Sequence, residues 1–171
     1  MKFSRVWAMP NKWTFKIRPI QSLLQRYVGQ GDGWIDPFAG QNSPAEITND
    51  LNPNYPTKHH LHAYEFATLL DGVYKGVLFD PPYNLSQIKE CYDGIGAEYY
   101  KGWNLDASFS KVKDVIAKKI EEGGIAISFG WNSNGFGKIR GFEIEEIMLV
   151  AHGGHHYDTI VVVERKVKMV R

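Results

Sequence analysis

Two short acidic sequences in this chain carry more chemistry than their length suggests: Asp36-Pro37-Phe38-Ala39-Gly40 and Asp80-Pro81-Pro82-Tyr83. Each follows an apolar run that reads as a buried strand, Trp34-Ile35 before the first and Gly76-Val77-Leu78-Phe79 before the second. A third acid, Asp50, closes a shorter candidate strand over Glu46–Asn49. An aspartate followed by proline, taken alone, predicts only a strand-ending turn, because proline removes a ladder donor. The second sequence can do more. An exocyclic amine on a heterocycle has its lone pair delocalised into the ring, so a site that makes it nucleophilic must accept both amine hydrogens and let the nitrogen become tetrahedral. The Asp80 carboxylate can accept one hydrogen and the Pro81 carbonyl the other. Pro82 stiffens the turn, and Tyr83 offers an aromatic face for stacking a base, an interaction typically worth ~1–3 kcal/mol.

These acids need a scaffold that brings strand ends together. Thr14 is positioned to cap a helix with Ile17, Ile20, Leu24 and Tyr27 at helical spacing, ended by Gly29–Gly33. Tyr64–Leu70 predicts a second helix. Asp106 is placed to cap a third, with Phe109, Val112, Val115, Ile116 and Ile120 inward until Gly123-Gly124. Ile125–Phe129 reads as another buried strand. Phe142–Ala151 and Tyr157–Glu164 read as two strands joined by His152–His156. Alternation of this kind predicts an α/β fold: a mainly parallel sheet covered on both faces and closed by a C-terminal antiparallel hairpin. Only about nine residues separate Gly40 from Asp50, too few for a crossover helix of ordinary length, so the first crossover must be a turn or a very short helix. The stretch Asn84–Trp103 shows no period and reads as a long functional loop.

Composition narrows the classes further. The chain has 171 residues, 43% hydrophobic and 23% charged, which fits one soluble globular domain. No apolar run approaches the ~20 residues of a membrane span, and no signal core follows Met1–Arg5. The one cysteine, Cys91, cannot form an internal disulfide and reads as a packing residue, so a cytoplasmic chain is expected. The net charge of +1 hides a segregation. Lys2, Arg5, Lys12, Lys16, Arg18 and Arg26 precede the first acid, and Arg165, Lys166, Lys168 and Arg171 follow the last. This arrangement can form a basic face for nucleic-acid phosphates or serve solubility alone.

The pair Asp-Pro-Phe-x-Gly and Asp-Pro-Pro-Tyr resembles the amino-methyltransferases that use S-adenosylmethionine, specifically the N6-adenine DNA methyltransferases. Thr48–Pro53, Gln87–Tyr92, Gly130–Gly135 and Gly141–Ile147 resemble small phage-type members, and the likeness runs from about Met9 to Lys166. The resemblance implies a Rossmann-like methyltransferase fold. It implies that Asp36, Pro37, Phe38, Ala39 and Gly40 form the cofactor loop, with Asp36, Phe38 and Gly40 at the methionine end. It places Asp50 on the ribose hydroxyls, His62-Ala63 beside the adenine ring, and Thr14-Phe15 in the N-terminal cofactor-packing motif. Histidine at 62 departs from the acid that relatives often carry, and Gln41-Asn42 after Gly40 departs from their small residues. Asp80, Pro81, Pro82 and Tyr83 take the catalytic roles.

A base amine inside a duplex is out of reach, so such an enzyme flips the nucleotide or acts on single strands. Tyr92, Tyr99, Tyr100 and Trp103 are the expected lid over an extruded base, and Trp131 and Asn132 are expected to face its pocket. Lys138, Arg140 and the turn histidine His155 are the expected phosphate contacts. The histidines (His59, His60, His62, His152, His155 and His156) lack the cysteine and ligand spacing of a metal site, and no metal is expected. The expectation is therefore methyl transfer to the N6 amine of adenine in DNA. An RNA base methyltransferase or a cofactor-binding, non-catalytic subunit are the alternatives. With no residues left for a separate target-recognition domain, specificity is expected to be relaxed, or to come from a homodimer or another protein.

Overall fold

The computed structural model describes residues 1–96 and 109–168. Their strands are β1 (Lys2–Trp7), β2 (Trp34–Asp36), β3 (Ile47–Thr48), β4 (Tyr74–Phe79), β5 (Ile120–Gly130), β6 (Phe142–Ala151) and β7 (Thr159–Lys166). The helices are α1 (Arg18–Tyr27), α2 (Ala63–Leu69), α3 (Leu85–Asp93) and α4 (Ser110–Ala117). All seven strands form one sheet in the order β1-β6-β7-β5-β4-β2-β3. β7 runs antiparallel to both its neighbours, and every other pair is parallel.

The side-chain period of two divides the core into two layers. On one face Leu78, Ile125, Ile127, Phe129, Met148, Val150, Val161 and Val163 meet Ile20, Leu23 and Leu24 of α1. On the other, Val77, Phe79 and Ala126 meet Phe66 and Ala67 of α2, Ile88 of α3, and Val112 and Ile116 of α4. β4 is buried throughout except at Lys75, as a central parallel strand must be when both faces are covered. Gly76 permits this packing, since a Cβ there would lie 2.7 Å from the Trp34 ring and 2.8 Å from the Ile125 carbonyl oxygen.

The sheet, its hairpin and the helix-free first crossover agree with the sequence reading. Four local details differ. Thr14 opens a single 3-10 turn, Thr14–Lys16, and α1 begins only at Arg18, with Pro19 fixing its first turn. α3 occupies part of the stretch read as irregular; it is capped by Asn84, whose side chain accepts the Gln87 N–H at 2.9 Å, and buries only Ile88 and Tyr92. Two apolar contacts in nine residues are too few to register as a period. β5 starts at Ile120 rather than after Gly124. Finally β1, which the sequence did not suggest, pairs with β6 at the sheet edge. Its lysine, serine and arginine mask a strand whose partner lies at the far end of the chain.

Part of the segregated positive charge is used inside the fold. Glu146, 2% exposed, accepts two hydrogen bonds from Arg26 (3.2 and 3.0 Å), one from the Tyr27 hydroxyl (2.8 Å), and an ion pair from Lys2 (3.4 Å). Hydrogen bonding to Arg26 holds this carboxyl below its ordinary range. Near the other terminus, Arg165 pairs with Glu145 at 2.7 Å and Lys166 donates to the Ala117 and Ile120 carbonyls. These cations fasten α1, β1 and the hairpin together.

Candidate active site

Because β2, β3, β4 and β5 are parallel, their carboxyl ends share one edge of the sheet. From β2 the chain moves outward to β3, then returns to place β4 on the opposite side of β2. That reversal opens the crevice in which α/β sheets bind ligands. A cleft of about 1330 Å³ lies there. Its walls include Thr14 and Phe15, the loop Pro37–Gly40, Asp50, His62 and Ala63, and Asp80–Tyr83. Five stretches separated in sequence thus meet at the strand tips.

The loop after β2 is held from beneath. Asp36 is fully buried; its Oδ1 accepts the Phe38 N–H at 2.9 Å and its Oδ2 the Ser43 hydroxyl at 2.6 Å. Asp36 does not line the cleft, unlike the four residues after it. This changes the expectation that its side chain meets the cofactor: it shapes the loop instead. Burial pushes its carboxyl pKa up to about 7, against the pull of its two hydrogen bonds. Between about 4 and 7 the native chain holds a proton that the unfolded chain has released, so stability falls as pH rises through that window and is level above it. Asp36→Asn can keep both loop bonds without titrating. Chemical denaturation between pH 5 and 8 should therefore give a shallower slope for the variant than for the wild type.

Asn49, 1% exposed, ties the loop to β3. Its Nδ2 donates to the Pro37 and Leu61 carbonyls (3.1 and 2.9 Å), and its Oδ1 accepts the Leu61 N–H (2.9 Å). Its backbone carbonyl accepts the Ala39 N–H at 2.8 Å. In the sequence Asn49 was only the last residue of the candidate strand Glu46–Asn49, with nothing to identify its partners. Asn49→Ala strands three polar groups in a mostly buried place. At ~1–3 kcal/mol per stranded group, equilibrium unfolding should show a loss of at least ~2 kcal/mol.

Gly40 adopts φ +56°, a left-handed conformation that glycine alone adopts without strain, and a Cβ there would crowd the Trp13 ring at 3.3 Å. Its N–H donates to Asp50 Oδ2 at 2.9 Å, while Asp50 Oδ1 accepts the Asn52 N–H at 2.9 Å. Burial raises the Asp50 carboxyl pKa, and these two bonds oppose the rise. Asn42 also lines the cleft, and its Nδ2 is buried without a hydrogen-bond partner among the described residues. Sequence reasoning noted this residue only as a departure from small side chains.

At the tip of β4, Asp80 Oδ1 accepts the Tyr83 hydroxyl at 2.6 Å, and the Thr14 hydroxyl lies near enough to favour the ionised form of the same carboxyl group. Burial raises the Asp80 pKa although the residue keeps some accessible surface; the two hydroxyls pull it back. Thr14, expected on the cofactor, therefore also belongs to the Asp80 network. Tyr83 was expected to present its face to a base. Here its hydroxyl is on the acid, its N–H donates to Gln87 Oε1 at 2.6 Å, and its ring meets Trp131 edge-on at 5.4 Å.

The remaining expectations divide. His62 and Ala63 begin α2 at the cleft wall. Tyr92 is buried on α3, with its hydroxyl 2.8 Å from His62 Nδ1 and its ring stacked on the imidazole, so it forms wall rather than lid. Tyr99, Tyr100, Trp103 and Asp106 lie outside the described residues. Arg140, expected at a phosphate, is engaged by protein groups: it pairs with Asp114 at 2.7 Å and donates to the Phe136 carbonyl and the Ser110 hydroxyl (both 2.8 Å). Lys138 shares its turn just before β6, whose start lies at the sheet edge opposite the cleft. The cause is topological, because β6 runs parallel to β5. Trp131 and Asn132 follow β5 outside the cleft lining, and His155 is exposed in the β6–β7 turn at the same edge as the cleft. His152 is buried between the Ala8 carbonyl and the Thr159 hydroxyl, at 2.9 Å from each, and joins the hairpin to the end of β1.

No protein-family model matches the sequence, and no curated protein matches it. Solved structures do. The chain has the Rossmann-like α/β fold found among methyltransferases. It superposes on TrmN from Thermus thermophilus with a TM-score of 0.56 at 14% identity, over 88% of this chain and 49% of that one. It thus spans about half the length of TrmN. It is similar to the 1,6-didemethyltoxoflavin-N1-methyltransferase of Burkholderia thailandensis, solved with 1,6-didemethyltoxoflavin and S-adenosylhomocysteine bound (TM-score 0.60, 12% identity, 88% and 78% covered). The N-methyltransferase NodS from Bradyrhizobium japonicum is a third (0.53, 8%, 88% and 96%). At such identities the likeness is one of backbone path.

Proposed function

We propose that this chain transfers a methyl group from S-adenosylmethionine to the N6 amino group of adenine in DNA. The observation that carries the reading is the position of Asp80-Pro81-Pro82-Tyr83 in the wall of the cleft that the Pro37–Gly40 loop and Asp50 also line. The cleft exceeds the ~300–1,000 Å³ usual for a small-molecule site, which leaves room for a cofactor and a base together. The residues present fit the cofactor: Gly40 allows close backbone approach, Asp50 can accept ribose hydroxyls, and the buried Asn42 amide lacks a partner that a carboxylate would supply.

When bound, S-adenosylmethionine supplies an electrophilic methyl group. The chain's own contribution is positioning and polarisation. The Asp80 carboxylate accepts one amine hydrogen and the Pro81 carbonyl the second, so the nitrogen lone pair is released from the ring. The amine must take the place of the Tyr83 hydroxyl on Oδ1 or use Oδ2 of the same carboxylate; if Tyr83 leaves, its ring becomes free to stack on the base. Burial makes Asp80 a stronger proton acceptor than an exposed aspartate, which suits a group that takes the amine proton as the new bond forms.

The test is transfer of labelled methyl from S-adenosylmethionine by the purified chain, with product nucleosides identified by mass spectrometry. Adenine-containing DNA should yield N6-methyladenine, and the same oligomer with every adenine already N6-methylated should take up no label. Label confined to matched RNA, or appearing on cytosine, would overturn the assignment.

A further inference from the structure

Beyond the cleft, the strand tips carry aromatic side chains in the order of the sheet. Tyr83 follows β4, Trp131 follows β5, Tyr157 precedes β7, and Trp7 ends β1. Tyr83 meets Trp131 at 5.4 Å between ring centroids, and Trp131 meets Tyr157 at 4.5 Å with 36° between planes. Beyond Tyr157 the turn between β6 and β7 brings Gly153 beside Trp7; a Cβ built on that glycine would sit 3.5 Å from the indole Nε1. Neighbouring strands lie ~4.8 Å apart, so rings on successive tips form a row along one edge. Tyr83 is its only member in the cleft wall, and the row leads outward from there.

These rings are poorly placed for stability alone. Tyr157 is 71% exposed and Trp7 64%, yet Tyr157 is held against a neighbouring ring. The nearest acid in the turn, Asp158, is turned to the His152 N–H at 3.4 Å. A row of accessible aromatic faces starting beside a base pocket matches what unpaired bases recognise, since every base has a π-face and stacking tolerates any sequence. We propose that the row Trp131–Tyr157, continued by Trp7, stacks unpaired nucleotides of single-stranded DNA next to the reactive base. The inference rests on the function proposed above and adds a substrate form: a single strand, held along the strand tips.

The experiment measures binding, so it is independent of methyl transfer. Fluorescently labelled DNA single strands of two and eight nucleotides, each with one adenine, are titrated with the wild type, Tyr157→Ala and Tyr157→Phe in the presence of S-adenosylhomocysteine. The wild type should bind the eight-mer much more tightly than the two-mer. Tyr157→Ala should lose about 5- to 150-fold on the eight-mer, the usual effect of one base–aromatic stack, and Tyr157→Phe should restore it. The slope of affinity against salt should be the same for all three, because a ring neutralises no phosphate. Equal eight-mer affinity for the wild type and Tyr157→Ala, or equally tight binding of a blunt duplex, would overturn the row. If the row behaves as expected while no adenine is methylated, the function proposed above fails and the row stands.

Discussion

Asp80→Ala should lower methyl transfer by at least about 100- to 1000-fold, the scale expected when a positioned acceptor for developing charge is removed. Cofactor affinity should stay within a few-fold of the wild type, because Asp80 sits at the tip of β4 whereas Gly40 and Asp50 sit at the tips of β2 and β3. Tritium transfer to DNA and calorimetric titration with S-adenosylmethionine measure the two effects separately. Tyr83→Phe refines the test. The Tyr83 hydroxyl lowers the Asp80 pKa, so its removal lets burial raise that pKa further. Transfer needs the ionised carboxylate and should fail as pH falls through this pKa. The acid limb of the kcat/KM profile should therefore move to higher pH in Tyr83→Phe. Full activity in Asp80→Ala would end the proposed mechanism.

Asp50→Ala should have the opposite signature. In the function proposed above its carboxylate accepts the ribose hydroxyls, and in the structure it also fixes the Gly40 N–H. Hydrogen bonds to a charged group are worth ~1.5–3 kcal/mol, so the dissociation constant for S-adenosylmethionine should rise about 10- to 150-fold. Saturating cofactor should recover most of the turnover, since nothing at β4 has changed. Asp50→Asn keeps an acceptor for Gly40 and should lose less. A dissociation constant unchanged in Asp50→Ala would place the ribose elsewhere in the cleft.

The two variants separate roles that the sequence assigns by local chemistry alone. Asp-Pro-Pro-Tyr is legible because its two acceptors lie on adjacent residues, its ring two further on, and proline fixes the backbone between them. Strands β2, β4 and β5 are legible because a strand buried on both faces is continuously apolar. The short crossover could be argued from chain length. Where the reading went astray, the deciding contacts are distant in sequence. β1 is a strand only because β6 lies beside it. Arg140 is engaged by Asp114 and Ser110, and Asp36 is drawn under its loop by Ser43. Nothing in those side chains announces the partner.

Residue types and spacing were therefore enough to determine the fold class and to place three acids at strand ends, because hydrophobic period and proline geometry act over a few residues. Only the tertiary structure decided that Tyr83 binds Asp80 with Thr14 in the same cleft wall, that Asn49 and Asn42 belong to the cleft region, and that four aromatic side chains line up along one edge. Those facts depend on strand order and direction, which are set by which apolar faces are buried together across the whole chain.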